Sequence, residues 1–215
     1  LSLNHINKPD DNFFQKGLKY HTFELKKYLD NSAVEISTDI TAQKYINFSI
    51  LHLIMAVKFS GNNFSIPARA LTGEAYKGHV FWDTEIFLIP FYILTKPDIA
   101  KNLLKYRYNT LAGARKNALK DGFKGASYAW ESTDSGLEMT PAFAILPNGE
   151  FIKILSGKCE NHISADISFA VWQYFQATQD EEFLTDYGAE IIFETARYYC
   201  SLVKFKEDGF YHILG

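Results

Sequence analysis

The sequence has little cysteine and no long hydrophobic run, and each shortage argues against a class of protein. Only two of the 215 residues are cysteines, and neither has neighbours at metal-ligand spacing, so neither a disulfide scaffold nor a cysteine-bound metal is expected. We expect Cys159 and Cys200 to behave as small hydrophobic residues in a reducing, cytoplasmic setting. The longest apolar runs, 50–57 and 86–94, are too short to cross a bilayer. The polar start, LSLNHINKPDDN, is unlike a signal peptide.

The sequence also lacks an excess of charge of either sign. Its 22 basic and 25 acidic residues give a formal net charge of -3. This balance gives no electrostatic reason to bind nucleic acid or an anionic membrane. Hydrophobic residues make up 47% of the chain and charged residues 22%, which is close to the globular average and predicts a buried core. The aromatic share of 16% indicates that this core is thick and rich in rings.

Apolar residues recur at helical spacing along most of the chain, which predicts a mainly α-helical protein. The predicted helices are 13–29, 41–59, 82–95, 97–120, 162–178 and 180–205. The third is apolar almost all round, so we expect it to be buried and to be kinked or ended early by Pro90. Pro97 suits the first turn of the fourth.

The remaining segments predict loops and short strands. Residues 1–12 read as a flexible lead-in, and 34–40 alternate in a way that fits a short strand or an extended approach. Residues 122–161 have no sustained period, and the turn Pro147-Asn148-Gly149 predicts a hairpin within them. The turn Asp208-Gly209 predicts a second hairpin. An irregular segment as long as 122–161 is often functional.

Two short runs combine aromatic and acidic side chains, as carbohydrate sites do. The run LTGEAYKGHVFWDTEIF contains Trp82, Asp83 and Glu85, and the run SYAWES contains Trp130 and Glu131. A tryptophan face can pack on the C–H face of a sugar, and a carboxylate can accept hydrogen bonds from neighbouring hydroxyls. The competing interpretation is structural: a core tryptophan, a helix-capping aspartate and a glutamate in a first helical turn.

Other chemistries have weaker signals. A zinc site built from His79, Asp83 and His162 lacks the tight spacing of known zinc motifs. A serine nucleophile lacks a GxSxG elbow. The glycines at 73 and 78 frame GEAYKG, which has no GK[ST] ending and follows no predicted strand, so a phosphate cradle is poorly supported. We therefore expect no metal and no cofactor.

The residues around the first run resemble a known family. The stretch LTGEAYKGHVFWDTEIFLIPFY closely resembles glycoside hydrolase family 65, which contains the maltose, kojibiose, nigerose and trehalose phosphorylases. The resemblance continues through NLLKYRYNTLAGARKNALKDGFKGASYAWES, NHISADISFAVWQYFQATQDEEFL and DYGAEIIFETARYY. It covers roughly 65–215, whereas 1–64 match loosely and EISTDIT stands where an acidic run is expected.

The resemblance implies the fold. The family's catalytic domain is an (α/α)6 barrel between a β-sandwich and a small β domain. We expect a mainly α chain that forms an incomplete (α/α)6 barrel, about half of its helical hairpins, with small β-hairpins in loops. Residues 1–40 would be a lead-in segment and linker helix, and 41–215 the partial catalytic domain. The exposed half-barrel surface could support a homo-oligomer.

The resemblance also implies an activity. The family carries out inverting phosphorolysis of an α-linked glucose disaccharide, here expected to be of the maltose type, with inorganic phosphate as co-substrate and β-glucose 1-phosphate as product. Its glucose-binding residues fall on Trp82 and Asp83 of the FWD run (81–83) and on Trp130 and Glu131 of the WES run (130–132). Supporting roles are expected for four residues: His79, Glu85, His162 and Asp166.

The family's general acid is a glutamate in a Gly-Pro-Asp-Glu-Tyr-His run that we expect beyond Gly215, together with the phosphate-binding residues. The sequence therefore predicts no catalytic residue within these 215 residues, and no turnover by this chain alone. Two alternatives stay open. One is an α-glucosyl hydrolase of the acid trehalase kind on the same scaffold, and the other is a non-catalytic sugar-binding or assembly protein.

Overall fold

The computed structural model describes residues 12–57 and 64–213, and the chain divides into two compact units at Met55. The first unit contains α1 (Phe13–Ser32) and most of α2 (Ile40–Ala56). Both predicted helices are therefore confirmed, within a few residues at their ends. The lead-in at 1–11 and the turn at 60–63 lie outside the described residues.

The connection between α1 and α2 is not a strand. The side-chain amide of Gln43 donates to the carbonyl of Val34 and accepts from the N–H of Ile36. Asp39 Oδ1 accepts from the N–H groups of Thr41 and Ala42 and so caps α2. Among the described residues no strand pairs with 34–39, so the strand alternative for 34–40 is wrong.

The second unit contains successive helices and two small hairpins. Its helices are α3 (Ile89–Thr95), α4 (Pro97–Asn109), α5 (Leu111–Lys120), α6 (Ser156–Cys159), α7 (Ile163–Thr178), α8 (Glu181–Phe183) and α9 (Ala189–Leu202). Its strands are β1 (Phe143–Ile145), β2 (Phe151–Lys153), β3 (Val203–Phe205) and β4 (Tyr211–Ile213). Antiparallel pairing joins β1 to β2 and β3 to β4, which confirms both predicted hairpins.

A wide π-helical turn, Thr84–Leu88, precedes α3. The N–H of Ile89 donates to the carbonyl of Thr84, five residues back. Pro90 follows as one of the first residues of α3, where its missing N–H is tolerated. The helix does not end early at Pro90, since it continues to Thr95, and the interruption near Pro90 is this π-helical turn. The prediction of full burial is wrong, because Phe87 and Leu94 are 63% and 84% exposed.

The helix predicted over 97–120 is two helices separated at Thr110. The hydroxyl of Thr110 donates to the carbonyl of Tyr106 in α4. The loop that follows the WES run packs against this point: a Cβ on Gly136 would lie 2.3 Å from the carbonyl oxygen of Thr110. A Cβ on Gly113 would lie 2.1 Å from the carbonyl oxygen of Ser135. Close packing of this loop therefore accompanies the break in the helix.

The last predicted helix is also interrupted. After α8 comes a second π-helical turn, Leu184–Gly188, in which the N–H of Ala189 donates to the carbonyl of Leu184. A Cβ on Gly188 would meet a methyl of Val171 at 2.8 Å, so this turn packs closely on α7. The helix ends at Leu202 because 203–205 pair as β3, three residues earlier than predicted.

The core of the second unit lies among α3, α4, α7 and α9. Its fully buried side chains include Ile89, Tyr92, Leu104, Ile163, Ile167, Val171, Phe183 and Ile191. The predicted inward residues Leu103, Leu104, Tyr106 and Leu111 are all buried. Cys159 and Cys200 are both exposed, so the prediction that they behave as small hydrophobic residues is wrong. Among the described residues, no helix is long and apolar enough to cross a membrane.

Candidate functional site

The FWD and WES runs lie side by side because their backbones pair. Val80 and Ser132 exchange two hydrogen bonds, each 2.9 Å from nitrogen to oxygen. On its other side, Val80 bridges Pro67. The pairing places the residues that follow Val80 next to those that precede Ser132. Two runs almost fifty residues apart in sequence thus form one surface, as the sugar-site interpretation requires.

A side-chain hydrogen bond crosses this surface between His79 and Glu131. The distance between His79 Nδ1 and Glu131 Oε2 is 2.7 Å, and both side chains are largely buried, 14% and 9% exposed. Because a carboxylate oxygen only accepts, His79 Nδ1 carries the donated proton. This contact fixes one oxygen of Glu131.

Three rings lie together at the same place. The ring of His162 meets that of Trp82 edge to face, with centroids 4.8 Å apart. It also meets Trp130 edge to face, with centroids 6.3 Å apart. His162 immediately precedes α7, and its Nδ1 is hydrogen bonded to Asp166 one helical turn later. The predicted supporting pair His162 and Asp166 therefore holds a ring between the two tryptophans.

Asp83 follows Trp82 and is exposed. It occupies the capping position of the π-helical turn, yet its carboxylate makes no capping hydrogen bond. Within 12–57 and 64–213, no hydrogen bond or ion pair engages its side chain. The capping role considered for Asp83 is thus wrong. Its oxygens face solvent and can accept hydrogen bonds from a ligand.

Glu85 is a structural residue of this region. Its two oxygens accept from Arg107 Nε at 2.8 Å and Arg107 Nη2 at 2.7 Å, and both side chains are completely buried. Burial raises the pKa of Glu85, and the charge of Arg107 opposes that rise. Nη2 of Arg107 also donates to the carbonyl of Phe81. The pair therefore anchors the backbone of the FWD run from the buried side. Glu85 itself is too deeply buried to contact a sugar.

Two tyrosines extend this anchor to the WES run. The hydroxyl of Tyr128 donates to the carbonyl of Arg107, and that of Tyr106 donates to the carbonyl of Thr133. Burial raises the pKa of both phenols, so both stay protonated donors at neutral pH. Sequence patterns did not identify Arg107, Tyr106 or Tyr128 as residues of the site.

Glu138 is a further residue that the sequence patterns did not identify. Its Oε2 accepts from the N–H of Trp130 at 2.8 Å, and its Oε1 accepts from the N–H of Glu131 at 3.3 Å. Its oxygens are therefore directed at the backbone of the WES run rather than at solvent. Among the described residues, no group of three or more histidine, cysteine, aspartate or glutamate side chains could hold a metal ion.

Comparison with known proteins agrees with this geometry. The family model "Glycosyl hydrolase family 65 central catalytic domain" matches residues 47–215. The chain belongs to glycosyl hydrolase family 65. The match includes both the FWD and the WES runs. It also identifies the helices of the second unit as part of the (α/α)6 barrel of the family's central domain.

The chain is similar to several curated and solved proteins. It is 48% identical to a kojibiose phosphorylase of Thermoanaerobacter brockii, over 90% of this chain and 25% of that protein. It is 46% identical to a kojibiose phosphorylase of Caldanaerobacter subterraneus subsp. tengcongensis, over 91% of this chain and 25% of that protein. A solved human-microbiome protein, provisionally described as a kojibiose phosphorylase, matches with a TM-score of 0.74 and 25% identity.

That structural match covers 93% of this chain and 24% of the solved chain. The chain thus spans about a quarter of the length of the relatives it matches. The activity of the whole protein is accordingly a matter of proposal.

Proposed function

We propose that this chain supplies the glucose-binding wall of a family 65 disaccharide phosphorylase whose substrate is an α-linked glucose disaccharide of the kojibiose type. One observation carries the proposal. The Val80–Ser132 pairing brings Trp82, Asp83, Trp130 and Glu131 together in the second unit. The similarity to two kojibiose phosphorylases supports the choice of linkage. The maltose substrate expected from the sequence has no such support.

Each of the four residues has a role that follows from its surroundings. Trp82 and Trp130 are only partly buried, so each can offer ring surface to the C–H face of a glucose unit. Asp83 is exposed and can accept two hydroxyl hydrogen bonds. Glu131 has one oxygen engaged by His79, and its other oxygen can accept from the sugar. The proposal gives these residues the tasks of binding and orientation.

In inverting phosphorolysis, an oxygen of inorganic phosphate attacks the anomeric carbon while the glycosidic bond breaks on the opposite face. The leaving oxygen takes a proton from a carboxylic acid, and β-glucose 1-phosphate is released. A sugar held against two tryptophans and two carboxylates is presented to phosphate in one orientation. We assign no residue of this chain to the proton transfer, and no cofactor is needed.

The product of the whole gene should be incubated with inorganic phosphate and, separately, with kojibiose, nigerose, maltose and trehalose. The proposal expects β-glucose 1-phosphate, with the highest kcat/KM for kojibiose. Glucose released from kojibiose in the absence of phosphate would instead identify a hydrolase on the same scaffold. No reaction and no binding with any of the four sugars would reject the proposal.

A further inference from the structure

The carboxylate of Glu138 lies against the backbone of the WES run. Oε2 accepts from the N–H of Trp130, and Oε1 accepts from the N–H of Glu131. Oε1 also accepts from the N–H of Thr140 at 2.9 Å and from its hydroxyl at 2.6 Å. In return, the N–H of Met139 donates to the carbonyl of Glu131 at 3.1 Å. One side chain therefore fixes the backbone of two proposed sugar-binding residues.

The backbone of Glu138 is itself fixed by Asn117 of α5. Asn117 Oδ1 accepts from the N–H of Glu138 at 3.2 Å. Its Nδ2 donates to the carbonyl of Gly136 at 3.0 Å and to the carbonyl of Ser127 at 3.2 Å. Asn117 thus joins the two ends of the segment 127–138, and the WES run lies between them.

Helix α6 also packs close to this carboxylate. A Cβ on Gly157, in α6, would lie 3.0 Å from Cδ of Glu138 and 2.9 Å from Cβ of Thr140. Only a residue without a side chain allows α6 to approach this closely. The position of the Glu138 carboxylate is therefore set by its four donors together with the close approach of α6.

We propose that Glu138 is a positioning residue for the sugar site, acting through the backbone of Trp130 and Glu131. This inference rests on the proposed function. Glu138 offers its oxygens to backbone donors, so it has no direct task toward the sugar. Its task is to hold the Trp130 ring and the Glu131 carboxylate at a fixed separation from Trp82 and His79. Such support is what keeps a binding site within the narrow geometry that recognition needs.

The informative variant is Glu138→Gln, because it keeps the size of the side chain but replaces an acceptor oxygen with an NH₂ donor. That donor must face one of the N–H groups that the carboxylate now accepts from. Glu207→Gln is the matched control, since Glu207 is exposed and lies in the turn of the β3–β4 hairpin. Both variants are made in the product of the whole gene.

Two readouts separate positioning from general stability. Hydrogen exchange should accelerate at least about tenfold at whichever of the Trp130 and Glu131 amides faces the new NH₂ group, the loss expected for a hydrogen bond to a charged group. Exchange within α7 should not change. The dissociation constant for glucose should rise by a similar factor, of order tenfold, while the thermal midpoint stays close to that of the control.

Gly157→Ala provides a second test should Glu138→Gln fail to fold. Its new methyl presses on the Glu138 carboxyl, so we expect the same two changes in the same direction and of smaller size. Unchanged exchange and unchanged glucose affinity in the folded variant would overturn the inference. If the unsubstituted protein binds no sugar, the proposed function fails together with the role toward sugar. The exchange data then still decide whether Glu138 holds the WES backbone.

Discussion

His79 Nδ1 lies 2.7 Å from Glu131 Oε2, and this contact joins two residues that are 52 positions apart in the chain. His79 follows a turn in which Tyr76, Lys77 and Gly78 all have positive φ. Such a backbone is costly for Tyr76 and Lys77, and it persists only where the surroundings hold it. The turn directs the imidazole toward the WES run, where it fixes one oxygen of Glu131.

Replacing His79 with alanine should weaken sugar binding, because Glu131 loses the donor that fixes one of its oxygens. We expect the dissociation constant for glucose to rise about tenfold, as for loss of a hydrogen bond to a charged group. A double-mutant cycle by calorimetry with Glu131→Gln checks the coupling. If the two residues act as a unit, the double variant should be scarcely worse than the poorer single variant. Additive losses would show that His79 acts elsewhere.

Asp83→Asn should separate binding from stability. The side chain of Asp83 is exposed and makes no hydrogen bond or ion pair with the described residues. The substitution should therefore change the protein's free energy of unfolding by less than about 0.5 kcal/mol. Glucose affinity should fall at least about tenfold, because the amide replaces one acceptor oxygen with a donor. Asp186→Asn, also at an exposed position, is the control and should alter neither quantity. Unchanged affinity in Asp83→Asn would remove Asp83 from the site.

The sequence points to the proposed contact residues of this site, whereas most of the residues that support them leave no local signal. Tryptophans and carboxylates in two short runs are visible as chemistry, and the resemblance to family 65 assigned them. The supporting residues act through backbone atoms, whose pairing partners no local pattern reveals. Arg107 did carry a signal, because it stands between Leu103 and Leu111 on the buried face of the predicted helix. A charged residue on such a face requires a buried partner, which is Glu85.

Breaking the buried pair should be costly. Arg107→Met leaves the Glu85 carboxylate buried without its partner, and we expect a loss of roughly 3–5 kcal/mol in the free energy of unfolding. The combined variant Glu85→Leu with Arg107→Met should recover much of this loss, since no buried charge remains. Denaturant unfolding measures both.

Arg115→Ala is the control for Arg107, because Arg115 and its partner Glu190 are partly exposed. Its other partner, Glu194, is buried but keeps an ion pair with Arg197. That substitution should cost less than about 1 kcal/mol. If Arg107→Met and Arg115→Ala lowered the free energy of unfolding equally, the role of the buried pair as an anchor would be contradicted.

Stability should fall in acid partly through Asp180, the residue that caps α8. Its Oδ1 accepts from the N–H of Phe183, and its Oδ2 from Lys101 and the hydroxyl of Tyr174. Burial alone would raise the pKa of Asp180, but these donors outweigh it and the pKa is lowered. A lowered pKa in the folded state means that this contribution is present above the unfolded pKa of about 3.9 and is lost as the pH falls through the folded value.

Asp180→Asn should therefore flatten the acid limb of a plot of unfolding free energy against pH, while asparagine still caps α8. Asp134→Asn, at an exposed loop position, should leave the limb as steep as in the unsubstituted protein. The measurement is denaturant unfolding between pH 3 and pH 7. An acid limb that is as steep in Asp180→Asn would assign the effect to other carboxylates.

Helix positions were predictable from apolar spacing, whereas helix interruptions were not, with one exception. Pro90 indicates a distortion, because proline lacks the N–H that donates a hydrogen bond within a helix. The break at Thr110 and the wide turn before Ala189 coincide with close tertiary contacts of Gly136 and Gly188, which spacing along one helix cannot show. The exposure of Cys159 and Cys200 likewise depends on tertiary packing, which local sequence does not show.

The central claim is that the FWD and WES runs bind one glucose unit together, and the three tryptophans of this chain test it directly. Trp172 is the internal control, since it lies in α7 about 15 Å along the helix from His162. Indole N–H resonances, assigned through single Trp→Phe variants, should be followed during titration with glucose. The account predicts that the Trp82 and Trp130 resonances shift with one common dissociation constant while Trp172 does not move. Shifts confined to one of the two, or no shift at either, would contradict it.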